Sequence, residues 1–290
     1  MMEVEQLIIK NIKNMRKIAF FTILCALFSF SSCDLFEIDN YEEPKETLWG
    51  EVVDVATGKR VLTDQGMEGT YIRLTELSWG ENVQHNPDFN GMSDGTFQNT
   101  KIFKGTYNID VVGAFIPLLR EDANGTPLAD ETQTTEIKGT TNVRFEVQPF
   151  LNIEWIGEPT ISNGKVTAKL RVTRGVSEEE FRNKVEPMGG YENNFFNVTD
   201  VRLFVSYSSS VGYGTSVDND RFDPWSGEII YSGSDFNASL GEVITIQSKG
   251  TIPSGRTVFV RAAARINYGT PKGSGTKRYN YNEAKELMVP

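Results

Sequence analysis

Short segments of alternating apolar and polar side chains recur along most of the chain, separated by turns rich in Gly, Asn and Asp. Alternation with a period of two residues predicts β-strands with one buried face. The clearest case is 165–172, in which Val166, Ala168, Leu170 and Val172 are predicted to face inward. Because such strands predominate, the pattern predicts an all-β protein of two consecutive antiparallel β-sandwiches.

The predicted strands form two groups on either side of Gln148-Pro149-Phe150. A proline after a strand ends its hydrogen-bonded ladder, so the predicted domains are 46–149 and 150–290. The strands are expected within 47–55, 70–77, 97–102, 106–112, 134–147, 151–156, 165–172, 200–207, 242–246, 257–264 and 277–281. One short helix is predicted over 177–185, because Ser177 is a good N-cap and acidic residues fill the first turn.

The N-terminal region has a different pattern. Arg16 and Lys17 precede an uncharged run of 13 residues, 18–30 (30 − 18 + 1), which ends at Ser31-Ser32-Cys33. The run is shorter than the ~20 residues of a membrane-spanning helix and is typical of a secretory signal. Its end resembles a bacterial lipoprotein signal, which implies a start at Met15, removal of residues 1–32 and lipid attachment to Cys33.

Composition and charge narrow the possible functions. Residues 33–45 are acidic and poor in apolar side chains, so we expect a flexible tether. The formal charge of −10 becomes −12 after loss of four basic and two acidic groups with residues 1–32 (−10 − 4 + 2). Such a surface repels nucleic acid. Cys25 leaves with the signal and Cys33 carries lipid, so no internal disulfide is expected.

Several turn motifs carry a resemblance to known proteins. Gly50–Gly58, Asp94-Gly95-Thr96-Phe97 and Gly105-Thr106-Tyr107 resemble the turns of transthyretin-like, carboxypeptidase-regulatory-like β-sandwiches. The longer strings 94–107 and 138–147 resemble an uncharacterised family of Bacteroidota surface lipoproteins. That family has a domain of unknown function and is often encoded beside SusC/SusD-type glycan importers.

The resemblance has implications for the second domain and for location. Residues 259–268 are similar to the penultimate strand of fibronectin-type-III-like domains, so a fibronectin-III/Ig-like sandwich is expected there. The family implies a lipid anchor in the outer membrane, at the cell surface. It also implies a SusC/SusD-type importer as a partner.

The search for catalytic chemistry finds little. His85 is the single histidine, which excludes two-His metal sites and leaves one candidate base for a triad. We therefore predict no enzymatic activity and no cofactor. Asp218, Asp220 and Asp223 offer oxygen ligands for calcium, but the loop lacks the Gly and distant Glu of a calcium-binding hand. A solvated acidic loop is the other interpretation of this segment.

Aromatic residues in loops are the remaining candidates for function. Sugar rings stack on aromatic side chains while polar neighbours bind the hydroxyls. Each aromatic could instead fill the end of a sandwich, and Trp49 and Trp155, which lie on strands, are predicted to be in the cores. The glycan-binding candidates are Trp79, Phe89, Tyr213, Phe222 and Trp225.

Two functional hypotheses follow. The first is a non-catalytic outer-membrane surface lipoprotein that binds polysaccharide or oligosaccharide as an accessory component of a polysaccharide-utilisation system. The second is a structural module that docks on an importer or another surface lipoprotein without binding sugar.

Overall fold

The computed structural model describes residues 42–78, 84–85, 88–214, 225–270 and 275–290. The predicted signal, Cys33 and most of the tether lie outside this part of the chain. Residues 44–290 form one compact unit. No helix in the described ranges is long and apolar enough to cross a membrane.

The described residues are almost entirely β-structure. The strands are β1 (Glu46–Asp54), β2 (Tyr71–Glu76), β3 (Gln84–His85), β4 (Phe89–Asn90), β5 (Thr96–Ile102), β6 (Gly105–Val112), β7 (Leu119–Glu121), β8 (Pro127–Asp130), β9 (Gln133–Ile137), β10 (Thr140–Val147), β11 (Leu151–Trp155), β12 (Thr160–Ser162), β13 (Lys165–Arg174), β14 (Val198–Ser206), β15 (Gly227–Ile230), β16 (Val243–Gln247), β17 (Thr257–Ile266), β18 (Asn280–Tyr281) and β19 (Lys285–Met288). One α-helix, α1 (Glu178–Val185), and two 3₁₀ helices, Glu186–Met188 and Asp235–Ser239, complete the described elements.

The first sandwich packs a three-stranded sheet on a five-stranded sheet. The orders are β10-β1-β5 and β3-β2-β6-β9, with β4 also paired to β2. Large side chains from both sheets, including Leu48, Ile72, Phe97, Tyr107 and Phe145, form the core between them. Most pairs are antiparallel as predicted, but β1 and β10 are parallel. Strands β3 and β4 lie between β2 and β5, where the sequence pattern predicts no strand.

Strand β1 places its tryptophan outside the core, contrary to the prediction. Burial alternates along the strand, with Leu48 and Val52 in the core and Trp49 only half-buried. Gly50 is also on the inner side, opposite Phe97, and a Cβ at this glycine would lie 2.1 Å from Phe97 Cζ. Because the Phe97 ring takes the space of a side chain at position 50, the large residue of β1 lies on the other face.

The second sandwich is built from two further sheets. One contains β11-β13-β12 with β16 on β13, and the other contains β15-β14-β17-β18 with β19 on β17. The inward residues predicted for β13, namely Val166, Ala168, Leu170 and Val172, are all buried in the core. The all-β fold of two sandwiches is therefore confirmed.

Helix α1 closes one end of the second core. Its N-cap is Ser177, whose Oγ accepts the Glu180 N–H at 3.1 Å, as the sequence predicted. Phe181 is fully buried, and its ring contacts Phe150 at 5.7 Å and Tyr268 at 5.4 Å. The helix thus packs beside Tyr268 through Phe181.

The outer face of the β14-β17 sheet packs against the first sandwich. Arg261 of β17 is 3% exposed and donates to the carbonyl oxygens of Thr63 at 2.8 Å and Ser93 at 3.0 Å. Arg278 donates to the Gly69 carbonyl at 2.8 Å. These arginines cross from the second sandwich to loops of the first, so the two share a polar interface.

Candidate functional site

A cleft of about 420 Å³ opens where the two sandwiches meet. One wall comes from the end of β6 and from the segment around β7, and the other comes from the end of α1 and the segment after β17. Its lining includes Asp110, Glu121, Asp122, Gly189, Phe195 and Tyr268. Pockets between domains are common ligand sites, so we consider this cleft first.

Carboxylates define one side of the cleft. Asp110 of β6 is buried, and Glu121 and Asp122 lie on the hairpin formed by β7 and β8. Asp122 Oδ1 accepts the N–H groups of Thr126 and Asn124, each at 2.8 Å. These hydrogen bonds lower the pKa of the Asp122 carboxyl, which is therefore ionised at neutral pH. The wall thus presents acceptors to a ligand.

An aromatic side chain lines the other wall of the cleft. Tyr268 packs against Phe195 at 5.4 Å and is 4% exposed. Its hydroxyl has no hydrogen-bond partner within the part of the chain that the structure describes. Burial raises the pKa of Tyr268, so the group stays protonated and is a donor. A buried hydroxyl without a partner costs free energy, which a ligand oxygen in the cleft would recover.

Glycine backbone forms the edge of the cleft between these walls. Gly189 and Gly190 follow the 3₁₀ helix Glu186–Met188 and have positive φ angles of 88° and 66°. This conformation strains residues with a Cβ, and it turns the chain back toward Phe195. A ligand can therefore approach main-chain atoms here.

Carboxylate acceptors, a tyrosine donor and aromatic surface together match a ligand that carries several hydroxyl groups on an apolar ring. Among the described residues, no group of three or more His, Cys, Asp or Glu side chains is arranged to hold a metal ion.

The described loop aromatics from the sequence analysis lie elsewhere. Phe89 is half-buried against the first core, with its ring 6.1 Å from Phe97. Trp225 packs on the second core, and its ring is 5.1 Å from the exposed ring of Tyr207. Phe89 therefore lies on β4 and packs against the first core, whereas Trp225 has an aromatic neighbour open to solvent.

Tyr213 belongs to a third cluster, on the outer face of the β14-β17 sheet. Its ring lies 5.5 Å from Tyr279, and the guanidinium of Arg202 lies 5.6 Å from its centroid. The three described candidates thus occupy three different clusters, and none lines the cleft. The other site residues predicted from the sequence, Trp79, Phe222, Asp218, Asp220, Asp223 and Cys33, lie outside the described residues.

The cleft residues were missed because they lie far apart in sequence. Asp110 and Tyr268 are separated by 158 positions (268 − 110), and no local motif connects them.

Trp155, predicted to be core, is half-buried at the edge of the second core, and its Nε1 donates to the Glu283 carbonyl at 3.0 Å.

Comparison with known proteins gives the family. A protein-family model with the description "Protein of unknown function (DUF3823) N-terminal domain" matches residues 46–148. A solved DUF3823 family protein from Bacteroides uniformis is 62% identical over 85% of this chain and 100% of its own, with a TM-score of 0.80. The chain belongs to the DUF3823 family. The uncharacterised family indicated by the sequence motifs is therefore confirmed.

Two more distant solved structures share the fold of this DUF3823 protein. One, from Bacteroides uniformis, has carbohydrate binding as its suggested role, with 16% identity and a TM-score of 0.56. The other is a DUF3823 family protein from Parabacteroides merdae, with 15% identity and a TM-score of 0.56. Each match covers 85% of this chain and 100% of the other. No curated protein matches the sequence.

Proposed function

We propose that this DUF3823 protein is a non-catalytic glycan-binding protein whose cleft holds a sugar unit of a neutral glycan. The observation that carries the proposal is that Tyr268, whose buried hydroxyl has no described partner, lines a cleft together with three carboxylates. Sugar hydroxyls can donate to the carboxylates and accept from the tyrosine, while an aromatic ring covers the apolar face of the sugar.

Charge and fold both support a neutral glycan. The net charge of −10 for the whole chain, together with Asp110, Glu121 and Asp122 in the cleft, disfavours acidic polymers. A distant fold relative has a suggested carbohydrate-binding role, which makes sugars the first ligand class to test.

Removing the Tyr268 hydroxyl is expected to weaken glycan binding without loss of stability. Tyr268→Phe deletes one hydrogen bond to the ligand, so we expect a 2- to 10-fold increase in the dissociation constant. Because the hydroxyl has no described partner in the protein, the melting temperature should not fall. The measurement is retardation in gels that contain neutral polysaccharides, followed by calorimetric titration with oligosaccharides.

The matched control is Tyr231→Phe, at a half-buried tyrosine of the same sandwich that does not line the cleft. Unchanged binding in Tyr268→Phe, with loss in Trp225→Ala, would move the site to the Trp225–Tyr207 pair. If the unmodified protein binds no glycan, the proposal is wrong and an interaction module becomes the better hypothesis.

We also propose that lipid on Cys33 tethers the protein to the outer membrane, at the cell surface, as an accessory of a SusC/SusD-type system. Cys33→Ala is expected to move the protein from the membrane fraction to the soluble fraction, since a covalent lipid is the proposed anchor. Cys25→Ala is the control, because Cys25 lies in the apolar run of the signal. Equal membrane retention in Cys33→Ala and the control would exclude the lipid anchor.

The same cells can test orientation. Protease added to intact cells should cleave a protein that faces outward, whereas protection would place it on the periplasmic side.

A further inference from the structure

The outer face of the β10-β1-β5 sheet carries a tryptophan between two amides. Trp49 of β1 is directly opposite Gln98 of β5 and Asn142 of β10. Directly opposed residues of neighbouring strands share a face, with Cβ atoms about 4.5–5.5 Å apart. Gln98 and Asn142 are both exposed, and Trp49 is half-buried between them. We name these three residues the Trp49 face.

The Trp49 ring is half-buried on the sheet surface, outside the three cores. Trp49 belongs to none of the three hydrophobic clusters of the described residues, and its indole has no ring contact or hydrogen bond among them. The other two tryptophans in the described ranges, Trp155 and Trp225, both pack on the second core. The partly exposed ring of Trp49 lies on the outer face of the sheet, where an aromatic side chain can stack on the apolar face of a sugar ring.

The charges beside Trp49 are paired within the protein. Glu51, two residues along β1, accepts from Arg60 and from Arg144, each at 3.0 Å. Next to Trp49 on the sheet surface, Glu51, Arg60 and Arg144 thus form ion pairs with each other instead of presenting free cations. The surroundings of Trp49 therefore suit a neutral ligand better than an acidic one.

The shape of the face differs from that of the cleft. Three paired strands give a surface about 10 Å wide, and the outward positions of one strand repeat every ~7 Å. An open surface of this kind can contact several units of an extended chain, whereas the cleft encloses only a small volume. Amide side chains on both sides of the ring supply donors as well as acceptors for hydroxyl groups.

We infer that the Trp49 face is a second glycan-binding surface, on which an extended neutral polysaccharide stacks a sugar ring on Trp49 and hydrogen-bonds to Gln98 and Asn142. The inference rests on the proposed function and adds a site in the other half of the molecule, within the segment that the family model matches. The cleft would bind one unit of the chain, and the Trp49 face would bind units further along.

The test compares long and short ligands with the full-length protein in detergent. Trp49→Ala is expected to raise the dissociation constant for a soluble neutral polysaccharide about 5- to 20-fold, from the loss of ring stacking and of buried apolar area. Binding of a disaccharide of the same sugar, which fits in the cleft, should change less than 2-fold. Trp49→Phe keeps a ring and should recover part of the lost affinity.

Stability and side-chain controls separate a binding role from a structural one. Trp49→Phe keeps a ring at this half-buried position and should change the melting temperature by little, so its effect on polysaccharide binding reports the ligand contact. The double variant Gln98→Ala/Asn142→Ala should weaken polysaccharide binding while it leaves the tryptophan in place. Val243→Ala, at an exposed apolar residue on a strand of the second sandwich, is the matched control and should bind normally.

The outcomes distinguish this inference from the proposed function. If the unmodified protein binds polysaccharide and Trp49→Ala binds it equally well, the Trp49 face is not a glycan site but the proposed function stands. If the unmodified protein binds no glycan of any length, both fall. If Trp49→Ala binds more tightly, a segment of the chain itself covers the ring, and the inference is wrong.

Discussion

Replacing Arg261 with methionine is expected to lower the free energy of unfolding by about 3–5 kcal/mol. The buried guanidinium donates to three carbonyl oxygens, those of Thr63, Ser93 and Asn282, at 2.8–3.0 Å. It also lies 4.3 Å from the centroid of the Tyr281 ring. Each buried carbonyl that loses its donor costs about 1–3 kcal/mol, and methionine replaces only the apolar part of the side chain.

Thermal unfolding followed by calorimetry measures this effect. A loss of that size corresponds to a fall in the melting temperature of about 10 °C, at 2–4 °C per kcal/mol for a body of this length. Arg256→Met, at an exposed arginine one residue before β17, is the control. A change below 1 kcal/mol in Arg261→Met would show that the contacts between the sandwiches do not depend on this side chain.

Replacing Asp200 with asparagine is expected to cost a similar amount at neutral pH. The carboxylate is 3% exposed and accepts from Arg265 at 2.7 Å, from Arg202 at 2.9 Å and from the Tyr279 hydroxyl. Breaking a buried ion pair by removing one partner typically costs about 3–5 kcal/mol, because the remaining charge is left uncompensated. Arg202 retains Glu228 at 3.1 Å, so Arg265 is the more affected arginine.

The pH dependence gives this prediction a distinct signature. Burial alone would raise the pKa of Asp200, but the hydrogen bond from Tyr279 and the charge of Arg265 outweigh it and hold the pKa below the ordinary 3.8. A lowered folded pKa means that the carboxylate stabilises the fold fully above pH 3.8 and loses this effect as the pH falls through the folded value. The difference in the free energy of unfolding between wild type and Asp200→Asn should therefore become smaller at acid pH.

Denaturant titrations between pH 7 and pH 3 provide the measurement. Asp235→Asn is the matched control, since Asp235 is exposed at the start of the second 3₁₀ helix. A constant difference across the whole pH range would show that Asp200 acts by shape and not by charge.

Local pattern predicted the elements well where one face is apolar along the whole strand. The alternation of β13 and the Ser177 cap of α1 each determine the local structure without outside help, and both predictions are confirmed. In β1 the same reasoning gave the wrong face for Trp49. The inward position is Gly50, which carries no apolar signal, because the space it leaves is filled by Phe97.

The candidate sites depend on packing that a local pattern does not contain. The cleft exists because two sandwiches meet, and the contacts that join them come from polar residues such as Arg261 on the mainly apolar strand β17. Strand β17 contains two arginines, Arg261 and Arg265, and the sequence does not show which of them contacts the first sandwich. The Trp49 face can be recognised only from the register of three strands, which include a parallel pair between segments far apart in sequence.

That parallel pair also determines when the first sandwich can fold. Thr47 pairs with Thr140, 93 positions later (140 − 47), so β1 has no neighbour on that side until nearly the whole domain has been made. Pairing across such a separation is slow because loop closure precedes any gain from contacts. During synthesis, β1 is therefore the first of these strands to be made and the last to gain both neighbours, so one of its edges stays unprotected in the meantime. A chain interrupted before residue 140 would contain every strand of the five-stranded sheet but lack one neighbour of the strand that begins the domain.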